Sequence, residues 1–118
     1  MTDWDSDPEM KTLRDEFVES FGKRADALKK LLPVFRNAGK GQLSTDNGAA
    51  LEAKVIAHNL AGAAPTYGFE SIGRRAAELD DFLSLGHSLP AYEILQRSEA
   101  LLTELISCAG FPASAARP

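Results

Sequence analysis

Gly48-Ala49-Ala50-Leu51-Glu52-Ala53-Lys54-Val55-Ile56-Ala57-His58-Asn59-Leu60-Ala61-Gly62-Ala63-Ala64 is rich in alanine and leucine and meets no proline before Pro65, which predicts a strong helix over 48–64. A helix turns about 100° per residue, so Ala49, Ala53, Ile56, Ala57, Leu60, Ala63 and Ala64 gather on one side. His58 projects about 160° away from the centre of that cluster. Its surface neighbours are Leu51, Lys54 and Val55 towards the N-terminus and Ala61 and Gly62 towards the C-terminus. The helix therefore has a core face and a second, partly apolar face around an imidazole. Two readings fit this second face. Leu51 and Val55 simply widen the buried stripe and His58 is a half-buried packing residue, or the small and apolar side chains form an exposed patch around a reactive nitrogen.

The same periodicity extends in both directions. Asp7-Pro8 reads as an N-cap followed by proline at the first helical position, and Met10, Leu13, Phe17 and Phe21 then recur at helical spacing. Gly22 predicts a break, which makes this first piece a short helix of its own. Ala25, Leu28, Leu32 and Phe35 continue the stripe, and Pro33 predicts a bend or an end nearby. Residues 37–47 form a loop feeding the next helix. Beyond Pro65 and Gly68 a helix spans 69–85 and stops at Gly86. Pro90 opens a last one carrying Ile94, Leu95, Leu101, Leu102, Leu105 and Ile106, which Gly110 and Pro112 end. Strand signals are almost absent. Short connections favour antiparallel neighbours. The expected fold is an all-α, antiparallel up-down four-helix bundle with a short additional N-terminal helix, in a single domain over 1–118 with flexible tails at 1–6 and 113–118.

Composition narrows the function. The 118 residues are 44% hydrophobic and 25% charged, values of an ordinary soluble domain. A net charge of −4 without a basic block gives no reason to expect nucleic acid or an anionic membrane as partner. No apolar run approaches the ~20 residues of a membrane span. The acidic start Met1-Thr2-Asp3-Trp4-Asp5 lacks the regions of a signal peptide, so a cytoplasmic setting is expected. One cysteine and two histidines offer neither an internal disulfide nor a metal pattern. Cys108 reads as a small core residue, and His87 as a surface residue or cap.

The helix over 69–85 bears on His58. Phe69, Ile72, Ala76, Leu79 and Leu83 define its inward stripe, and Asp80 falls inside it, where a carboxylate is costly unless bonded. A bond from His58 Nδ1 would lock the ring in one tautomer and leave Nε2 as an outward-facing nucleophile. Pairing of Asp80 with Arg75 or Lys54 is the alternative. Gly62, one turn after His58, costs a helix up to about 1 kcal/mol. It clears room for an incoming group or partner backbone, or else permits close helix packing.

Taken together, His58, Leu60, Gly62, Gly68, Phe69, Ile72 and Leu79-Asp80 resemble the pattern of the histidine-containing phosphotransfer (HPt) domain of two-component phosphorelays. Two positions depart from it. The family usually has lysine three residues after the histidine, where Ala61 stands here, and glutamate where this chain has Asp80. Lys54 lies on the same side of the helix one turn earlier and is expected to substitute in part for the missing cation.

The resemblance implies a phosphorelay intermediate. His58 Nε2 would take a phosphoryl group from a receiver-domain phospho-aspartate and pass it to another response-regulator receiver, with Asp80 orienting the imidazole. The partners implied are receiver domains and a hybrid or other histidine kinase, and the expected state is a monomer. No nucleotide motif or acidic metal cluster is evident, so no cofactor is expected of this chain and the Mg²⁺ would come from the receiver. Docking is expected on Leu51, Val55, Ala61, Gly62 and Pro65, bordered by Tyr67 or Phe69. Two other classes stay open: a non-phosphorylated adaptor that docks receivers or kinases, and the phosphoacceptor domain cut from a chemotaxis-type histidine kinase.

Overall fold

The structure, a computed structural model, describes residues 8–109. The expected N-cap Asp7, the tails at 1–6 and 113–118, and the stop at Gly110 and Pro112 lie outside the described residues. The chain is mostly helical, with α1 (Pro8–Ala38), α2 (Gly48–Ala63), a 3-10 turn (Ala64–Tyr67), α3 (Glu70–Leu83) and α4 (Ala91–Ala109). Helix α1 packs chiefly on α4, α2 on α3, and α3 also on α4.

Among the described residues the short additional N-terminal helix is not formed. One 31-residue helix runs from Pro8 to Ala38 straight through Gly22. The cause is phase. Phe21 and Ala25 are four residues apart, so the apolar stripe keeps its face across the glycine, and Phe21, Ala25, Leu28, Leu32 and Phe35 are all buried on it. That burial exceeds the roughly 1 kcal/mol a helical glycine costs. Nor does Pro33 end the helix, which continues to Ala38. Pro33 and Lys29, whose carbonyl loses its helical donor, both lie on the exposed side, where water can satisfy the carbonyl. The helix stops at Gly39, which adopts φ +58 and donates its N–H to the Arg36 carbonyl at 3.1 Å.

A second feature lies outside the all-helical expectation. Strands β1 (Gln42–Ser44) and β2 (Ser88–Pro90) pair antiparallel with Leu43 opposite Leu89. Leu89 is buried and Leu43 packs on the core, so the ribbon closes one end of the bundle and ties the α1–α2 connection to the α3–α4 connection. Asn47 then caps α2, its side chain accepting from the Ala49 N–H at 2.9 Å.

The core is a continuous cluster from all four helices, with Phe21, Phe35, Leu28, Leu60, Ile72, Leu79, Ile94, Leu101 and Leu105 fully buried. Cys108 packs at its edge, where burial and then the nearby Glu104 push its thiol up from the ordinary range. Among the described residues no helix is long and apolar enough to cross a membrane.

Candidate functional site

Helix α2 is held by its inner face. Ala53, Ala57 and Leu60 are fully buried, and that anchoring turns His58 outward. The imidazole is 75% exposed, which decides between the two readings of this face: the ring is not a packing residue. Leu51 and Val55 beside it are 46% and 58% exposed.

The turn after α2 sets the neighbouring helix. Gly68, at φ +88, takes the left-handed conformation that lets the chain reverse, and the Phe69 N–H donates to the Ala64 carbonyl at 2.9 Å. Gly73 of α3 then sits against the Pro65 ring so closely that an added Cβ would lie 2.7 Å from Pro65 Cγ. This contact brings α3 in on α2 and places Asp80 level with His58.

Asp80 divides its two oxygens. Oδ2 lies 3.0 Å from His58 Nδ1, and Oδ1 accepts from Lys54 Nζ at 3.1 Å. Both pairings considered for this carboxylate are therefore present together, whereas Arg75 pairs with Glu78 at 3.2 Å instead. Lys54 also donates to Ser84 Oγ, and the Ser84 hydroxyl donates to the Asp80 backbone carbonyl at 2.9 Å. Partial burial pushes the Asp80 carboxyl up, but the bonds from His58 and Lys54 and the lysine charge outweigh it, leaving the group below the ordinary aspartate value. The shorter side chain, aspartate where glutamate is usual, reaches the ring.

Leu51, Lys54, Val55, His58, Asn59, Asp80 and Ser84 line an open groove of about 710 Å³. Gly62 lies beyond the ring, and a Cβ built there would meet nothing within 4 Å. Close helix packing therefore does not account for this glycine. The rest of the expected docking set is spread out. Ala61 is half-buried against the core, and Pro65 is exposed but braced on Gly73. Tyr67 turns towards α1, its ring 5.0 Å from that of Phe17 and its carbonyl accepting from Arg14 Nε at 3.1 Å. Phe69 joins the same aromatic cluster. Sequence reasoning missed Ser84 and Asn59. Ser84 stands one turn after Asp80, a spacing that could have drawn attention to it.

With this geometry in place, the Hpt domain family matches residues 12–108. The chain belongs to the Hpt domain family. Comparisons with curated proteins and with solved structures returned no match. Hpt domains are helical bundles that act as phosphocarrier modules, working with receiver domains and kinases in two-component phosphorelays. Among the described residues of this Hpt domain, no group of three or more His, Cys, Asp or Glu side chains could hold a metal ion.

Proposed function

We propose that this Hpt domain is a cytoplasmic phosphorelay intermediate with His58 as its phosphoacceptor. The observation that carries the reading is an outward imidazole whose Nδ1 is engaged by Asp80, so that its other nitrogen faces solvent in an apolar-walled groove. A neutral ring with its proton on Nδ1 has a free lone pair on Nε2. That lone pair attacks the phosphorus of a receiver's acyl phosphate. The N–P bond forms as the P–O bond to the receiver aspartate breaks, and the leaving electron pair returns to that aspartate as carboxylate. The proton stays on Nδ1, so positive charge develops on the ring opposite the ionised Asp80, which stabilises it. Transfer to a second receiver is the reverse of these steps.

Catalysis of such a loose phosphoryl transfer is positioning and charge neutralisation. The receiver supplies Mg²⁺ and the phosphorylatable aspartate, and this chain supplies the acceptor. Among the described residues Lys54 is the one cationic side chain lining the groove, and it puts positive charge at its wall. Gly62 leaves room for the partner, and Leu51 and Val55 offer it an apolar contact. The protein is then a carrier, not a kinase, and works as a monomer.

The test is incubation with a receiver carrying labelled phosphate. Label should appear on the wild-type chain and not on His58→Gln. Receiver binding with no label on the wild type would move the reading to a docking adaptor.

A further inference from the structure

We infer that Lys54 and Ser84 are positioning residues for the acceptor ring: together they hold the Asp80 carboxylate against His58 Nδ1 and so fix which nitrogen carries the lone pair. The inference deepens the phosphoacceptor reading and takes its importance from it, but its measurement needs no partner.

The Ser84 hydroxyl has a single proton and gives it to the Asp80 backbone carbonyl at 2.9 Å. Towards Lys54 it can therefore only accept, which is what an ammonium, a donor without lone pairs, requires. Lys54 is thereby steered to the near side of Asp80, where it takes Oδ1 at 3.1 Å. With Oδ1 so occupied, the carboxylate plane is set and the group stays ionised, and only Oδ2 faces the ring. An ionised carboxylate accepts and cannot donate, so His58 Nδ1, 3.0 Å away, must carry its hydrogen. Every hydrogen from Ser84 to the imidazole then has one direction, ending, in the neutral ring, in an unprotonated Nε2.

Without Lys54 or Ser84, this constraint relaxes. The ring is 75% exposed, so no packing would hold it, and the Asp80 carboxylate would lose the cation on Oδ1 that sets its plane. The carboxylate would share Oδ1 with water and swing, and the ring would sample both tautomers.

The experiment is the ring-nitrogen spectrum of the full ¹⁵N-labelled chain in alkaline buffer, with His58→Gln assigning the signals against His87. The wild type should show His58 as one tautomer, protonated on Nδ1. Lys54→Met and Ser84→Ala should each lose that single-tautomer signature, and Lys54→Arg should restore it. Helical circular dichroism accompanies each variant, and Ser84→Ala decides the matter if Lys54→Met does not fold. A single Nδ1–H tautomer retained in folded Lys54→Met or Ser84→Ala, or a wild-type ring already mixed, overturns the inference. A lysine acting only by direct contact with the phosphoryl group would give the first of those results. Failure of the phosphoacceptor reading looks different: the tautomer pattern is as expected and no label is transferred.

Discussion

Asp80 Oδ2 lies 3.0 Å from His58 Nδ1 although the two residues stand on different helices and the ring is largely in solvent. An exposed imidazole has no packing to orient it, so this bond decides where its free nitrogen points. Asp80→Ala should slow phosphoryl transfer by about ten- to a hundredfold, the range found when a metal-bound histidine loses the hydrogen-bonding partner behind it. Asp80→Asn can still accept from Nδ1 but cannot answer the positive charge that develops on the ring, so it should fall between the two. Initial rates of label transfer, with helicity checked in parallel, measure both. Equal rates in all three proteins would remove Asp80 from the mechanism.

The same carboxylate should mark the acid limb of stability. Its folded pKa is depressed, so between that value and the ordinary aspartate value, roughly 3.9, the unfolded chain binds more protons than the folded one. The contribution is thus fully present above the unfolded value and is lost as pH falls through the folded one. The gap between the urea midpoints of wild type and Asp80→Asn should close as pH falls below about 4. A gap that widens across that acid range would contradict the sign.

Much of this site was legible from helical arithmetic. The phase of Ala53, Ala57 and Leu60 is enough to turn His58 outward, because burying those three leaves the ring no other direction. The partner of Asp80 was legible only as a set of candidates, since a lysine stem can end in several places and spacing does not say which. The answer, a carboxylate shared between His58 and Lys54, depends on how closely α3 approaches α2, and that is set by Gly73 against Pro65. The β-ribbon escaped notice because a three-residue strand such as Gln42–Ser44 is too short to show alternation. The continuity of α1 was available in the four-residue step from Phe21 to Ala25, which outweighs the isolated Gly22 between them.

Two glycines should respond in opposite ways. Gly62→Ala adds a Cβ into open space within α2, so it should stabilise the free protein by about 1 kcal/mol while slowing transfer, because the methyl projects where a partner docks. Gly73→Ala makes the same helical gain but drives a Cβ into the Pro65 ring. Overpacking of about 1–3 kcal/mol should turn the balance to a loss, with His58 still able to accept phosphate in the folded fraction. Denaturant midpoints and transfer rates on both variants separate room for a partner from room for a neighbouring helix. If Gly62→Ala transfers at the wild-type rate, the glycine does not serve access.

Val55 and Leu51 expose apolar surface along the groove wall, on the side of the ring away from Gly62. A small apolar centre contributes to a transient complex mainly through dissociation, because desolvation is realised only once the surfaces meet. Val55→Asp should therefore weaken receiver binding by about tenfold or more, roughly 1.4 kcal/mol or above, mostly as faster dissociation. Stability should be unchanged, since the side chain is 58% exposed. Titration calorimetry and stopped-flow binding read the two effects.

Ser98 offers a test of the bundle itself. It is fully buried in α4, and its hydroxyl has no hydrogen-bond partner among the described residues. A buried hydroxyl left unpaired costs its desolvation without return, so removing it should not hurt. Ser98→Ala also places a better helix former in α4. The variant should be as stable as wild type or more stable by up to about 1 kcal/mol, with phosphoryl transfer unaltered because the residue lies away from the groove. Urea unfolding gives the answer directly. A loss of more than about 1 kcal/mol would mean that the hydroxyl does hold a bond, for which a turn-earlier backbone carbonyl, that of Ile94, is the natural acceptor.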